Sequence, residues 1–181
     1  MVVSKTKRVL VPRLHCDFEA PTVNFAILEA FQRLGYDRPT EDQALAVRNF
    51  GLGCDVFVML PTGSGKSLCY ASLPYIFDSL WRAAGEKYAH HSIAVVCPLS
   101  TIMQDQTQKF TERGLKVHFV GKDQKNEEVK DRVERGEYSL VFMSPEAMLT
   151  VLRWSEMFHS DVYQECMICL AVDEAHCIRM W

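Results

Sequence analysis

Two groups of residues have the types and the spacing that nucleoside triphosphate chemistry requires. The first is the run Leu60-Pro61-Thr62-Gly63-Ser64-Gly65-Lys66-Ser67, and the second is Asp173-Glu174-Ala175-His176. Two glycines in the first run allow backbone N–H groups to turn toward an anion, the lysine can reach phosphate oxygens, and the final serine can ligate Mg²⁺. The strict pattern has glycine where Leu60 stands, so the match is to a relaxed form of a phosphate-binding loop.

The acidic pair follows an apolar run, Ile168–Val172, which places Asp173 at the tip of a predicted strand. A carboxylate there can hold Mg²⁺, and Glu174 beside it can orient or deprotonate an attacking water. An isolated Asp-Glu pair would indicate a solvated helix start, but the phosphate loop upstream favours the catalytic interpretation. His176 alone is ambiguous, because most such histidines form local hydrogen bonds.

Gln43 has two interpretations that the sequence leaves open. It stands three residues after Thr40, which is the spacing of a helix capping box. A carboxamide can also pair with the N6 amine and N7 of adenine. Capping would be a complete structural explanation, and adenine recognition would be a functional one.

The elements that must position these residues alternate along the chain. Helices are predicted at 22–34, 41–50, 66–84, 100–113, 125–135 and 145–154, and strands at Val56–Leu60, Ile93–Cys97, Val117–Val120, Leu140–Met143 and Ile168–Val172. The strands are short, apolar and rich in Val and Ile, which is typical of a parallel sheet buried on both faces. The pattern predicts a three-layer α/β fold with a mainly parallel sheet, preceded by N-terminal helices, and with ligands at the carboxyl ends of strands. Residues 1–20 are predicted to be a poorly ordered lead-in.

Composition limits the class of protein further. The chain has 181 residues, 48% of them hydrophobic, and a formal net charge of −3. That length suits one domain, the charge does not indicate a dedicated nucleic-acid binder, and no apolar run is long enough to cross a membrane. Seven scattered cysteines predict reduced intracellular thiols. Cys166 and Cys169 match CxxC, and His90 adjoins His91, but a buried strand cysteine and a surface loop explain them better than metal binding.

Five consecutive motifs resemble those of RecQ-type DNA helicases. They are LGYDRPTEDQ at 34–43, LPTGSGKSLCY at 60–70, VVCPLSTIMQDQ at 95–106, MSPE at 143–146 and DEAHCI at 173–178. The resemblance covers roughly residues 22–181 in the family's order and spacing. It implies a first RecA-like P-loop lobe over 21–181, the use of ATP with Mg²⁺, DNA as a partner, 3′–5′ unwinding, and a nuclear location.

The resemblance also implies a role for particular residues. Adenine recognition falls on the motif that holds Tyr36, Arg38 and Gln43, and phosphate binding on Pro61, Thr62, Gly63, Ser64, Gly65, Lys66 and Ser67. Magnesium falls to Ser67 and Asp173, and catalysis to Lys66, Asp173, Glu174 and His176. DNA contact falls to Pro98, Leu99, Ser100, Gln104, Gln106 and Trp181.

The sequence departs from the family after the acidic motif. Members usually continue His-Cys-Ile-Ser-Gln-Trp, whereas Arg179 and Met180 stand here before Trp181. The resemblance further implies a second lobe and a central strand that would follow residue 181, so the isolated chain is expected to unfold with low cooperativity and to aggregate. Two alternatives remain: a nucleotide- or partner-binding protein without helicase catalysis, and an unrelated P-loop protein such as a nucleotide kinase.

Overall fold

A computed structural model describes residues 2–4, 21–85, 90–121 and 126–180 of this chain. The chain divides into two compact units, Met1–Ala89 and His90–Trp181, each described below by itself. The first unit holds β1 (Val2–Ser4), α1 (Pro21–Arg33), α2 (Glu41–Gly51), β2 (Asp55–Phe57), α3 (Lys66–Ala71) and α4 (Leu73–Ala83). The second holds β3 (Ser92–Val96), α5 (Ser100–Glu112), β4 (Val117–Val120), α6 (Glu127–Glu134), β5 (Leu140–Met143), α7 (Pro145–Thr150), α8 (Leu152–His159), α9 (Asp161–Cys166), β6 (Met167–Val172) and a 3₁₀ helix (Ala175–Met180).

The two N-terminal helices confirm the sequence prediction. Helix α1 lies within one residue of the predicted range and buries one face, made of Val23, Ala26, Ile27, Ala30 and Phe31. It packs on α4, where the Arg33 guanidinium lies 5.3 Å from the centre of the Tyr75 ring and Ser79 donates a hydrogen bond of 2.9 Å to Glu29. These contacts fix the helical part of the first unit.

Two predictions for the first unit are wrong. The run at 56–60 was expected to be a doubly buried strand of the parallel sheet, but β2 is three residues long, has exposed ends, and pairs antiparallel with β1. An apolar run indicates a strand without specifying which strand it pairs with. The helix predicted at 66–84 is two helices that meet at Ser72, and Pro74 in the first turn of α4 lacks the N–H needed to continue the ladder.

The second unit is built on a parallel sheet with the strand order β4-β5-β3-β6. Strands β3 and β5 are wholly buried and pair with Val96 opposite Met143, while β3 also pairs with β6 with Val96 opposite Val172. The α/β fold with a parallel sheet is therefore confirmed. Among the strands that the structure describes, β6 pairs on one side only, and its Leu170 and Val172 side chains are exposed.

Helices α6 to α9 share a core with one face of this sheet. Trp154, Met157 and Tyr163 are buried there against Val133 and Met143. The sequence predicted one helix at 145–154, but the chain turns at Val151, whose extended backbone separates α7 from α8. Helix α9 was not predicted.

His91 corrects another expectation. The sequence predicts a surface loop there, but His91 is buried immediately before β3. Cys166 ends α9 and Cys169 lies in β6, and burial raises the pKa of Cys166 to about 11.

Across the described ranges, no three His, Cys, Asp or Glu side chains are grouped to hold a metal ion. No helix within those ranges is long and apolar enough to cross a membrane.

Candidate functional site

The phosphate loop of the first unit turns twice through left-handed backbone. Gly63 and Gly65 have φ values of +81° and +77°, a region that side chains disfavour. Ser64 closes the turn, since its hydroxyl donates a hydrogen bond of 2.7 Å to the carbonyl of Pro61. Pro61, Thr62 and Gly63 are exposed, so the loop opens toward solvent at the start of α3.

Lys66 lies across this loop. Its ammonium donates hydrogen bonds to the carbonyls of Leu60, at 3.0 Å, and Pro61, at 3.2 Å. Because an ammonium has three donors, this arrangement leaves one N–H for another acceptor. The positive charge is thus held over the loop by the loop's own backbone, and Ser67 follows it on α3.

Gln43 connects helix α2 to the phosphate loop. Its Oε1 accepts a hydrogen bond of 2.9 Å from the backbone N–H of Thr40, whose hydroxyl accepts from the N–H of Gln43, so the predicted capping box is present. Its Nε2 donates to the carbonyls of Ser64, at 3.1 Å, and Gly65, at 3.2 Å. The side chain is only 3% exposed. The carboxamide therefore serves as helix cap and loop support together.

The other residues expected to recognise the base precede α2. Tyr36 is half-buried and its N–H donates to the carbonyl of Phe31 at 3.0 Å, directly after the left-handed Gly35. Arg38 is exposed in the same connection. Tyr36, Arg38 and Gln43 thus belong to one segment of the first unit, and the side chain of Gln43 is hydrogen-bonded to the phosphate loop.

The acidic turn of the second unit follows β6 directly. The Asp173 N–H donates to the carbonyl of Val96 at 2.9 Å, and an Asp173 carboxylate oxygen accepts from the Glu174 N–H at 3.1 Å. Glu174 has a φ of +51°, which is uncommon for a residue other than glycine. The Nδ1 atom of the exposed His176 lies 3.2 Å from Oε2 of Glu174. Three of the predicted catalytic residues are therefore neighbours in one tight turn.

Cys97 lies beneath this turn at the end of β3. It is fully buried, and its thiol lies 3.8 Å from the Leu99 carbonyl. Burial raises the pKa of the Cys97 thiol, and the nearby negative charges of Asp173 and Glu174 act in the same direction. The thiol is therefore kept protonated, and it adds no charge under the acidic turn.

The residues expected to contact DNA fall on two faces. Pro98, Leu99 and Ser100 follow the carboxyl end of β3, and Leu99 and Ser100 are exposed. Gln104 is exposed one helical turn beyond Ser100 and shares its face of α5. Gln106 is two residues further on and points elsewhere, with its Oε1 buried and without a hydrogen-bond partner in the described residues. Trp181 lies outside the described residues.

Comparison with known proteins identifies the class that this geometry belongs to. The family model for DEAD/DEAH box helicases matches residues 40–181. The chain therefore belongs to the DEAD/DEAH box helicase family.

Its relatives are RecQ-type proteins, which confirms the resemblance noted from the motifs. The chain is 30% identical to the ATP-dependent DNA helicase RecQ of Haemophilus influenzae over 173 residues, 94% of this chain and 25% of that protein. It is 32% identical to the ATP-dependent helicase SGS1 of Saccharomyces cerevisiae over 163 residues, 88% of this chain and 10% of that protein. The chain thus spans a quarter or less of these two relatives.

A solved structure shares the fold. The DUF1998 helicase MrfA, crystallised with DNA and AMPPNP, matches 97% of this chain and 24% of its own chain, with a TM-score of 0.60 and 19% identity. At 19% sequence identity, this similarity shows a shared fold only.

Sequence reasoning missed the link between Gln43 and the phosphate loop. The Thr40–Gln43 spacing predicted the cap, but the carbonyls of Ser64 and Gly65 lie 21 and 22 positions away along the chain. Backbone carbonyls carry no sequence signal, because every residue has one. Ser144, which caps α7 with a hydrogen bond of 3.1 Å from the Ala147 N–H, had a usable signal in the Ser-Pro-Glu start.

Proposed function

We propose that this chain is the ATP-binding part of a RecQ-like 3′–5′ DNA helicase that couples ATP hydrolysis to DNA unwinding. The observation that carries the proposal is the phosphate loop with two left-handed glycines and a lysine held over it. Membership of the DEAD/DEAH box family supports it, as do relatives named ATP-dependent DNA helicases. A nuclear location is part of the proposal and rests on the eukaryotic relatives.

In the first unit, the loop and Lys66 take the phosphates of ATP. Backbone N–H groups at Gly63 and Gly65 favour an anion, and a Cβ at Gly63 would meet no atom within 4 Å, so space is open there for phosphate oxygens. Lys66 exchanges its loop carbonyls for phosphate oxygens, which are stronger acceptors for an ammonium. Gln43 keeps the loop in position, and Tyr36 and Arg38 stand on the same segment for the nucleoside.

In the second unit, the acidic turn supplies the carboxylates. We assign Asp173 to Mg²⁺ and Glu174 to the attacking water. In the first unit, the Ser67 hydroxyl is assigned to Mg²⁺ on the family resemblance. Bound Mg²⁺ supplies charge neutralisation on the phosphates. Oxygen ligands are what Mg²⁺ prefers, so the donor set fits the ion. His176, close to the Glu174 carboxylate, is assigned to link the state of the nucleotide to DNA.

DNA binding is assigned to the carboxyl end of β3. Helix α5 begins without a side-chain cap, so its first N–H groups are available to acceptors such as backbone phosphates. Ser100 and Gln104 extend this surface along one exposed face. Gln106 and Trp181 remain in the proposal on the family resemblance alone.

The test is ATP–Mg²⁺ binding by the purified chain, compared between wild type and Lys66→Ala. Loss of a charged hydrogen-bond donor to phosphate is expected to weaken binding by roughly 10- to 100-fold. Lys116→Ala is the matched control, because it removes an exposed ammonium on the second unit and should leave affinity unchanged. A thermal melt of each variant reports whether it folds.

The outcomes separate the alternatives. Equal affinity for wild type and Lys66→Ala, or no binding by a folded wild-type chain, would contradict the proposal. Binding that depends on Lys66, followed by ATP turnover that DNA stimulates and Glu174→Gln abolishes, would support the helicase assignment. Binding without DNA-stimulated turnover would favour a nucleotide-binding protein without catalysis.

A further inference from the structure

An exposed stripe on helix α2 is not used by the proposed nucleotide site. Glu41, Leu45 and Arg48 of α2, and Leu52 directly after its end, follow one another at helical spacing, so their side chains lie on one face. Leu45 is 48% exposed and Leu52 is 53% exposed. The opposite face of the helix buries Ala46, Val47 and Phe50. The stripe is therefore a second apolar surface on a helix that already has a buried one.

Helix α1 extends this surface. Phe25 is 68% exposed, and Leu28 is exposed one turn later on the same face. The Arg48 guanidinium donates a hydrogen bond to the side chain of Asn24, which borders Phe25. The two helices thus present four large exposed apolar side chains and are joined by the Arg48–Asn24 hydrogen bond, and exposed apolar side chains with an Arg are typical of protein interfaces.

The charges on the stripe of one copy are complementary to those on the stripe of a second, antiparallel copy. Glu41 and Arg48 stand seven positions apart, about 10 Å along a helix, with Leu45 between them. Within the described residues neither side chain has an oppositely charged partner. If two α2 helices meet antiparallel with a two-fold axis near Leu45, Glu41 of each faces Arg48 of the other. A two-fold interface repeats each contact, so two ion pairs would flank an apolar centre.

We propose that the α1–α2 surface is a docking site for a second copy of this chain, with the two α2 helices antiparallel and Glu41 paired with Arg48 across the axis. Leu45 packs at the centre, and Phe25 and Leu28 widen the apolar contact. The inference does not depend on nucleotide binding.

The test is sedimentation equilibrium of the chain over a wide range of concentrations. Wild type is expected to show a concentration-dependent dimer. Glu41→Arg and Arg48→Glu should each weaken the dimer by about tenfold, because each creates two like-charge contacts across the axis. The double variant, Glu41→Arg with Arg48→Glu, should restore the wild-type dissociation constant, because the charges exchange places.

Three further variants distinguish the interface from effects on folding and from non-specific apolar association. Asn24→Ala removes the hydrogen bond to Arg48 without changing charge and should leave the dimer intact. Leu45→Gln should weaken the dimer, whereas Leu149→Gln, at an exposed leucine of the second unit, should not. Circular dichroism melts verify that each variant is folded.

Three results would overturn the proposal. One is a wild-type chain that stays monomeric throughout, which would assign the stripe to a different protein. Another is a dimer that tolerates both single charge reversals. The third is a double variant that dimerises no better than the single variants.

Discussion

The side-chain nitrogen Nε2 of Gln43 lies 3.2 Å from the carbonyl oxygen of Gly65, and it lies 2.8 Å from the position that a Cβ on Gly65 would occupy. One carboxamide therefore fills the space that the glycine leaves empty. The start of helix α2 and the phosphate loop are therefore held together by the Gln43 side chain.

Changing Gln43 to Glu is expected to destabilise the chain by about 1–3 kcal/mol, since a carboxylate cannot donate to the loop carbonyls and lies against their oxygen atoms. Gln43→Ala should cost a similar amount through loss of both the cap and the link. Urea unfolding without nucleotide measures both. Gln32→Ala, at an exposed position on α1, is the control and should change stability little.

The two loop glycines give a matched pair of substitutions. Gly63→Ala should cost about 1–2 kcal/mol, the strain of a left-handed side chain, because a Cβ there meets no other atom within 4 Å. Gly65→Ala carries the same strain and also displaces Gln43, so it should cost more. Equal unfolding free energies for the two variants would contradict this account of the loop.

Glu174 stands in left-handed backbone at φ +51°. We expect Glu174→Gly to be more stable than Glu174→Ala by about 1 kcal/mol, because glycine adopts this conformation without the Cβ clash. Thermal melts of the two variants, in the absence of nucleotide, give the comparison. An alanine variant as stable as the glycine variant would show that the turn is unstrained in solution.

Tyr163 anchors α9 to α6 through a hydrogen bond of 2.8 Å from its hydroxyl to the carbonyl of Val133. Tyr163→Phe should cost about 1 kcal/mol and no more, because that carbonyl also accepts from the Gly136 N–H and is not left unsatisfied. Chemical denaturation checks the value. Tyr75→Phe on α4 removes a hydroxyl that has no hydrogen-bond partner among the described residues, so it should be nearly neutral.

Arg153 of α8 contacts three carboxylates of α6, namely Glu127, Asp131 and Glu134. The pKa of Glu127 is lowered by its hydrogen bond to Lys130 and then by that to Arg153. A carboxyl group whose pKa is depressed by folding stabilises the folded state at pH values above its ordinary pKa of 4.5. That stabilisation is lost as the pH falls through the folded-state pKa. The gap in melting temperature between wild type and Arg153→Met should therefore be widest near neutral pH and should close below pH 4.5.

The control for this pH series is Lys116→Met, which removes an exposed cation that has no carboxylate partner among the described residues. Its melting temperature should follow that of wild type at every pH. A gap for Arg153→Met that stayed constant down to low pH would mean that the arginine acts by packing over Trp154, 6.0 Å away, and not by charge.

The sequence predicted those elements whose side-chain pattern is decided locally. Helix α1 and strands β4 and β5 lie within a residue or two of their predicted bounds, since an amphipathic helix and a short apolar strand each have a side-chain pattern that is set locally. Strand β2 was misassigned because pairing with β1 depends on residues more than fifty positions away. Helix α9 is only six residues long, which is too short for a periodic signal.

The features of the candidate site likewise fall into those that residue type reveals and those that depend on the fold. The glycines, Lys66 and the acidic pair were recognisable because their chemistry requires particular residue types. The hydrogen bonds of Gln43 to two backbone carbonyls were not, and neither was the left-handed backbone of Glu174, because both depend on where the chain is placed in space.

The second unit has three loops whose first peptide groups form one continuous row. The N–H of Asp173 donates to the carbonyl of Val96, and the N–H of Cys97 donates to the carbonyl of Met143, each at 2.9 Å. The acidic turn, the loop before α5 and the start of α7 therefore begin at neighbouring strand ends that these two hydrogen bonds join. A displacement of one loop is transmitted to the other two unless one of these two hydrogen bonds breaks.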